Sequence, residues 1–274
     1  MFFAVFALAL IQGPFPSAAS PSGPDAPKPT VVRVTASDFE FDVPSTAPAG
    51  YVIFRLLNQG SDFHHIQIVR VPAGMDKSGL RRALQAKDPE AEGLVFLGGP
   101  GTVIPGDSVD ALVRMEPGEY GLVCFVEGTD RVEHYKKGMI ARFTVTGTAE
   151  PAAPVPADFE ITLRDYEFAF STPATAGRRT LRIVNEAKQP HEMFLARMAP
   201  GRKAEDLLKW LADGAKGQPP AYPLGGVLSL SNGQSNHFTV DFTPGAYALI
   251  CFVPDAGDGR PHFMHGMTAD FVVQ

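Results

Sequence analysis

The chain has 274 residues, and 24 Lys and Arg against 30 Asp and Glu give it a formal net charge of −6. This mildly acidic balance excludes a nucleic-acid binder driven by phosphate neutralisation, and a hydrophobic content of 45% excludes a disordered chain. The 27 Gly and 25 Pro residues favour many short strands joined by turns, and the length predicts two domains.

The first segment has the pattern of a signal peptide. Residues 2–11 form an apolar run that is too short to span a bilayer, and Ser17, Ala18 and Ala19 offer small side chains at a cleavage point. We therefore predict a signal peptide over 1–19, a Pro- and Ser-rich linker over 20–29, and an exported protein, periplasmic or secreted. A buried first strand is the alternative. No later apolar stretch is long enough to predict a membrane span in the mature protein.

Short β-branched and aromatic runs then predict strands along the whole chain. In the first half they cover 31–41, 51–57, 66–71, 109–115, 120–126 and 141–145, and the second half repeats them up to 269–273. One helical patch interrupts each half, at 77–86 and 204–212. Pro117-Gly118 and Pro244-Gly245 mark turns between strands.

The two halves of the chain match at one fixed offset. Their matching pieces are Asp38-Phe39-Glu40-Phe41 with Asp165-Tyr166-Glu167-Phe168, Asn58 with Asn185, His64 with His191, Leu97-Gly98-Gly99 with Leu224-Gly225-Gly226, and Cys124 with Cys251. After the cysteines the offset grows by a single position, which pairs His134 with His262 and Met139 with Met267. Such a repeat indicates a duplicated domain.

These observations predict an all-β fold. We expect two tandem Greek-key β-sandwich domains, each with a short helical insertion, at residues 30–146 and 158–274. A Pro- and Ala-rich linker over 147–157 separates them.

The chain has two cysteines, one at the same place in each half, and three interpretations are open. A disulfide would require the equivalent core strands of two separate sandwiches to approach within about 7 Å. Two inert thiols in the cores are a second possibility, because free cysteine is commonly buried. Metal ligation is the third.

The order of nearby donors favours metal ligation. In the second half His191, Cys251, His262 and Met267 follow one another as His, Cys, His and Met, and the first half has His64, Cys124, His134 and Met139 in the same order. Two imidazoles, a thiolate and a thioether form a soft N/S set that suits a blue-copper centre. Zinc also accepts Cys and His ligands, but the thioether favours copper.

Three motifs, in a fixed order along the chain, resemble those of a known family. They are an Asn shortly before Pro190-His191, the strand from Gly245 to Cys251, and Pro261-His262 followed after three residues by Gly266-Met267. Both halves resemble cupredoxins of the plastocyanin and azurin type, over essentially the whole chain beyond the linkers. The resemblance implies one type-1-like copper in each domain.

The sequence departs from that family in three places. Cys and the second His are 10 positions apart in the first half and 11 in the second, farther than in that family. The longer loop is expected to expose the metal or change its geometry. Phe63 and Glu133 stand where the second half has Pro190 and Pro261. Neither Cys has a neighbouring His, whereas multicopper oxidases and copper nitrite reductases use such a His to couple two coppers. We therefore expect the chain not to be an enzyme.

The remaining histidines are expected to lie outside the metal sites. His65 follows a ligand in a strand and should point to the opposite face, toward solvent. His237 is predicted to be a surface residue, and His265 a rim residue or substitute ligand. Lys136 and Lys137 give the first site a positive rim or a solvated loop face.

The leading hypothesis is an exported copper-binding protein that transfers single electrons to a redox partner protein. Copper sequestration or delivery with a copper-handling partner is the second hypothesis, and a metal-free interaction module is the third. No nucleic acid is expected as a partner.

Overall fold

The computed structural model describes residues 29–128, 130–149 and 155–274. The predicted signal peptide and residues 20–28 of the first predicted linker lie outside this part of the chain, as do residues 150–154 of the second linker. Among the described residues no helix is long and apolar enough to cross a membrane.

The described part of the first half contains nine strands and one α-helix. Its strands are β1 (Thr30–Ser37), β2 (Glu40–Asp42), β3 (Thr46–Pro48), β4 (Gly50–Asn58), β5 (Gln67–Val71), β6 (Val95–Phe96), β7 (Ser108–Met115), β8 (Gly118–Val123) and β9 (Ile140–Thr146). Helix α1 (Lys77–Ala83) lies between β5 and β6, and the Asp76 side chain caps it by accepting a hydrogen bond from the backbone N–H of Gly79.

The second half has the same plan. Its strands are β10 (Phe159–Arg164), β11 (Glu167–Phe170), β12 (Gly177–Asn185), β13 (His191–Met198), β14 (Ala221–Leu230), β15 (Ser235–Phe242), β16 (Gly245–Ile250) and β17 (Thr268–Val273). Helix α2 (Ala204–Ala212) follows β13.

The described strands form three sheets, and each half has one main apolar core and one smaller apolar cluster. One eight-stranded sheet has the order β11-β10-β12-β15-β7-β4-β1-β2 and so contains strands of both halves. A five-stranded sheet, β3-β9-β8-β5-β6, belongs to the first half, and a four-stranded sheet, β14-β13-β16-β17, belongs to the second. Buried side chains of the large sheet pack against those of the smaller sheet in each half, because strand residues alternate between two faces.

An approximate two-fold relation joins the halves. Strand β7 pairs antiparallel with β15, its own repeat, and Ala111 lies opposite Phe238, its own equivalent in the second half. Pro100 forms a bridge with Val227, which is again its equivalent. Each half thus offers the same surface to the other, as the subunits of a two-fold dimer do.

The repeated Leu-Gly-Gly motif lies at this junction. The N–H of Gly98 donates to the carbonyl oxygen of Ser229 at 2.8 Å, and the N–H of Gly99 donates to Asn236 Oδ1 at 2.9 Å. A side chain at Gly225 would approach Val109, the equivalent of Asn236, to within 2.9 Å. Glycine therefore allows the two backbones to approach each other closely.

The predicted all-β character is confirmed, since the described residues contain two α-helices and otherwise mainly strands. The predicted helical patches occur, although the first ends at Ala83. The predicted strand 31–41 is in fact two strands, because the chain turns at Asp38 and Phe39. The description as two Greek-key sandwiches, with the domain limits given above, stays a prediction.

Candidate metal centres

Each cysteine lies just beyond the end of a strand, and the predicted strand 120–126 therefore ends before Cys124. Cys124 follows β8, and its backbone N–H donates to the carbonyl oxygen of Met139 at 3.3 Å while its carbonyl accepts from the N–H of Tyr135 at 2.9 Å. Cys251 follows β16 and makes the same two bonds, with Met267 at 3.2 Å and Phe263 at 3.0 Å. Backbone hydrogen bonds therefore fix where each thiol enters its site.

The second histidine of each set begins a short 3₁₀ helix. His134–Lys137 and His262–His265 form these turns, and each ends at a glycine with positive φ, Gly138 at 115° and Gly266 at 99°. A methionine follows directly. The left-handed glycine turns the chain back, so that the N–H of each methionine donates to the carbonyl of the histidine at 3.0 Å.

In the first half three donor atoms surround a space of the size of one metal ion. Cys124 Sγ lies 3.8 Å from His64 Nδ1 and 3.7 Å from His134 Nδ1, and the two Nδ1 atoms are 3.2 Å apart. A point equidistant from the three atoms is about 2.1 Å from each, close to metal–nitrogen and metal–thiolate bond lengths of about 2.0–2.3 Å.

The second half brings the equivalent atoms together. Cys251 Sγ lies 3.9 Å from His191 Nδ1 and 3.4 Å from His262 Nδ1, and the two imidazole centroids are 4.4 Å apart. In both sets the ligand atoms all lie within 4.8 Å of one another, and all six residues are buried. Two imidazoles and a thiolate are the donors of a copper or zinc site.

Both cysteines are free, so the disulfide interpretation is wrong.

Met139 and Met267 are fully buried in the same cores as their cysteines. The assignment of the two methionines as ligands stays a prediction.

The sites are dry. Burial raises the pKa of the Cys124 thiol to about 12 and raises that of Cys251 as well. Burial also lowers the pKa of all four ligand histidines, to about 4 for His262. A thiol and neutral imidazoles are the resting forms, and a metal ion would displace the thiol proton.

The long loops between Cys and the second His do not expose the sites. Each loop closes on itself through a β-bridge, Glu127 with Glu133 and Pro254 with Pro261. His134 and His262 remain 0% exposed. The described extra residues therefore lie beyond this bridge, although Asp255 reaches back to within 3.8 Å of His262. The expected exposure of the metal is wrong, and a changed geometry stays a prediction.

His65 is buried, so its predicted exposure is wrong, and its role is structural. Its Nε2 accepts a hydrogen bond from the backbone N–H of Phe125, the residue after Cys124, at 2.7 Å, and burial lowers its pKa to about 3. In the second half Glu192 Oε1 accepts from the N–H of Phe252 at 2.9 Å, and burial raises the Glu192 pKa to about 7. The residue after the first histidine thus ties the two ligand loops together in both halves.

The repeated asparagines hold the loop that leads to the first histidine. Asn58 donates from Nδ2 to the carbonyls of Asp62 at 2.8 Å and Val103 at 3.0 Å, and its Oδ1 accepts from Gly60. Asn185 makes the equivalent three bonds, and both side chains are fully buried. The sequence repeat marks these residues, but only the structure shows their contacts.

Other polar residues expected near the sites have different places. His237 is buried at the junction between the halves, so the predicted surface position is wrong. His265 lies outside the His–Cys–His set and forms a partly exposed group with Asp255 and Asp258. The predicted positive rim of the first site is neutralised, because Lys136 and Lys137 each pair with an acidic side chain at 2.8 Å.

Some similar solved structures match less than half of this chain, and others match about nine-tenths of it. Reduced auracyanin from the photosynthetic bacterium Roseiflexus castenholzii is 19% identical over 43% of this chain and 98% of its own, with a TM-score of 0.30. The blue copper oxidase from Nitrosomonas europaea is 14% identical over 90% of this chain and 86% of its own, with a TM-score of 0.26.

A Cu-containing nitrite reductase from Thermus scotoductus is 12% identical over 89% of this chain and 61% of its own, with a TM-score of 0.24. No protein-family model and no curated protein matches the sequence. The predicted resemblance to cupredoxins agrees with these structures. TM-scores this low establish neither the metal nor the activity, which depend on the donor atoms themselves.

The expectation that the chain is not an enzyme is corrected. The similar structures that share about nine-tenths of this chain are multicopper oxidases and a nitrite reductase, which are enzymes.

Proposed function

We propose that this chain is an exported copper-binding protein with one type-1-like copper centre in each half, and that each centre exchanges single electrons with a redox partner. The ligands of the two centres are His64, Cys124, His134 and Met139 in the first half and His191, Cys251, His262 and Met267 in the second.

One observation carries the proposal. Two buried Nδ1 atoms and a buried Sγ converge on one point in each half, and equivalent backbone bonds hold them there in both halves. Inert core thiols would not require two imidazoles to turn the same nitrogen toward sulfur. Two imidazoles and a thiolate with a buried thioether nearby suit copper better than zinc.

The residues of the chain have distinct tasks in this role. Copper, when bound, supplies a reversible single-electron couple. The thiol of each cysteine must release its proton before it can bind, and burial makes this release depend on the metal. The closed loops exclude water, and the backbone bonds around Cys and Met keep the donor atoms in one arrangement in both oxidation states.

Copper titration of the reduced chain tests this function. We expect an intense thiolate-to-copper absorption band that saturates at two copper ions per chain. Cys124→Ser and Cys251→Ser should each remove about half of the band, and each variant serves as the matched control of the other. A bound ion must also raise the thermal stability of the folded chain. Absence of both the band and the thermal shift would contradict the proposal and favour a metal-free module.

Sequestration or delivery is the competing role, and the rate of copper exchange separates it from electron transfer. Ligands that are fully buried predict slow release to an external chelator. Fast release with no reversible reduction would favour delivery. If the reduced copper-loaded chain turned over steadily with oxygen or nitrite, its electron transfer would be one step of an enzymatic reaction.

A further inference from the structure

The same two-residue turn lies against both centres. Asp38 and Phe39 join β1 to β2, and Asp165 and Tyr166 join β10 to β11. These turns come from the most similar tetrapeptides of the sequence repeat, yet none of their residues is a metal donor. We call them the Asp-aromatic turns.

The backbone of each turn is unusual. Phe39 has a φ of 66° and Tyr166 a φ of 65°, the left-handed region that aromatic residues rarely adopt. Both halves keep a large ring at this position although glycine would fit the backbone better. Strained backbone of this kind persists where the surrounding structure uses it.

The first residue of each turn faces the first histidine ligand. Asp165 Oδ1 lies 3.0 Å from His191 Nε2, and Asp38 Oδ1 lies 3.5 Å from His64 Nε2. In both imidazoles Nδ1 is the nitrogen that points to sulfur. The carboxylate is therefore at the far side of the ring from the donor atom.

The second residue of each turn covers the second histidine ligand. The Phe39 ring lies edge-on to His134 with centroids 5.0 Å apart, and the Tyr166 ring lies edge-on to His262 at 5.5 Å. Phe39 itself is 38% exposed, whereas His134 is fully buried. The ring is thus between the imidazole and solvent.

We propose that the Asp-aromatic turns are positioning elements for the copper centres. In the second half Asp165 fixes His191 with its proton on Nε2, whereas Asp38 lies 3.5 Å from His64 Nε2 without a hydrogen bond to it. In both halves the ring shields the second histidine from water. This inference rests on the proposed function of the His–Cys–His sets. An imidazole that donates Nε2–H to a carboxylate keeps the Nδ1 lone pair free for the metal and becomes a stronger donor. The negative charge also favours the oxidised ion, so it lowers the reduction potential of the copper.

Variants of Asp165 test the first part, in the full chain with Cys124→Ser so that only the second centre is observed. Asp165→Ala should weaken copper affinity by about 10- to 100-fold. Asp165→Asn keeps an acceptor but removes the charge, so it should raise the reduction potential and change affinity less. Asp241→Asn removes an exposed carboxylate that pairs with Arg178 and should leave both values unchanged.

Nitrogen-15 NMR of the metal-free chain gives a readout that does not need copper. We expect His191 to be a single Nε2–H tautomer and to become a mixture in Asp165→Ala. An unchanged tautomer together with an unchanged potential would overturn the proposal. If copper did not bind to the unmodified chain, the proposed function would fail, and the tautomer alone would then decide whether Asp165 positions the ring.

Glycine substitutions test the second part. Tyr166→Gly removes the ring and relieves the backbone, so the fold should persist. We expect its copper to pass to an external chelator several times faster than that of Tyr166→Phe, which keeps the ring and loses only the hydroxyl bond to Asp255 at 2.6 Å. Release from Tyr166→Gly at the unmodified rate would overturn the shielding role. Phe39→Gly, with Cys251→Ser, makes the same test at the first centre.

Discussion

The two halves keep the same donor atoms and backbone bonds but surround them with different charged groups. At the first centre Asp62 Oδ2 faces His134 Nε2 at 3.5 Å, whereas at the second the equivalent residue, Gln189, donates to Asp255, whose Oδ2 faces His262 Nε2 at 3.8 Å. The positions of the donor atoms depend on the backbone hydrogen bonds around Cys and Met, which are the same in both halves. The side chains around the donor atoms do not take part in these bonds. The two centres therefore differ in those surrounding side chains.

Different surroundings give the two centres different expected properties. Glu192, a half-buried residue, stands beside Cys251, where the first half has the imidazole of His65 beside Cys124. Lys137 lies over the Phe39 ring at 4.5 Å, but its charge is paired with Asp130 at 2.8 Å. Negative charge favours oxidised copper, so we expect the second centre to have the lower reduction potential above pH 7, where Glu192, with a pKa of about 7, is ionised.

The largest expected losses of stability come from the glycines of the repeated Leu-Gly-Gly motif, and both halves should lose similar amounts. A Cβ atom at Gly226 would overlap the carbonyl oxygen of Met193, and one at Gly99 would overlap that of Ile66, with φ at 125° in both. We expect Gly226→Ala and Gly99→Ala each to lower the free energy of unfolding by about 3 to 5 kcal/mol, since strain and overlap add. Urea denaturation measures this loss.

Gly74→Ala is the matched control, because Gly74 has a φ of 77° but open space around its Cα. It should cost only about 1 kcal/mol of backbone strain. Equal losses of unfolding free energy in Gly226→Ala and Gly74→Ala would contradict this prediction. They would mean that a small backbone shift relieves the overlap at Gly226.

The next prediction tests whether Glu192 and His65, two different side chains, stabilise their halves equally as hydrogen-bond acceptors. Glu192→Ala leaves the N–H of Phe252 without its acceptor, and His65→Ala does the same to Phe125. We expect each to lower the free energy of unfolding by about 1 to 3 kcal/mol, as a buried unpaired donor does. Glu192→Gln keeps an acceptor and should lose little. A loss in Glu192→Gln as large as in Glu192→Ala would show that the contact matters through charge.

The donor set is the part of the site that a sequence can indicate best. His, Cys, His and Met recur in a fixed order and spacing, and chemistry limits what such a set binds. The turn residues Asp38 and Asp165 are also visible in the repeat, but a local pattern gives no reason to place them against histidines that lie 26 residues further along the chain. That proximity arises only when the hairpin folds over the sheet.

Burial of His65 and His237 could not be predicted for a related reason. Strand alternation places His65 opposite His64, yet the opposite face is covered by the cysteine loop, which comes from a distant part of the chain. His237 lies in a polar, alternating strand, but β7 of the other half pairs with that strand. Alternation gives the face of a residue and leaves open what covers it.

A smaller effect distinguishes the halves by their response to acid. His237 pairs across the sheet with Arg182, and the equivalent pair in the first half is the exposed ion pair of Asp110 with Arg55. Burial, and secondarily Arg182, lowers the pKa of His237 below 6.5. The unfolded chain therefore takes up this proton first as pH falls, so stability should decrease below about pH 6.5 until the folded-state pKa is passed.

His237→Gln does not titrate and should reduce this acid-dependent loss. The measurement is the free energy of unfolding at pH 7.5 and pH 5.0 for both chains, compared as a double difference because other buried histidines contribute equally to each. An identical loss in both chains would mean that His237 is protonated without cost in the folded protein.

The smallest expected effect would make the two centres more alike. Ser61 donates its N–H at 2.9 Å and its hydroxyl at 2.7 Å to Asp38, and these bonds hold the carboxylate 3.5 Å from His64. Among the described residues no such donor reaches Asp165, whose distance to His191 is 3.0 Å. Ser61→Ala leaves only the backbone donor, so Asp38 should turn toward His64 and the reduction potential of the first centre should fall toward that of the second.

Redox titration with Cys251→Ser isolates the first centre for this measurement. Lys188, at the position equivalent to Ser61, allows the reciprocal change: Lys188→Ser should draw Asp165 away from His191 and raise the potential of the second centre. Opposite shifts from these two substitutions would assign the difference between the centres to the carboxylate–imidazole distance. A lower potential in Lys188→Ser with no shift in Ser61→Ala would assign it instead to the net charge around each site, because Lys188→Ser removes a positive charge and Ser61→Ala removes none.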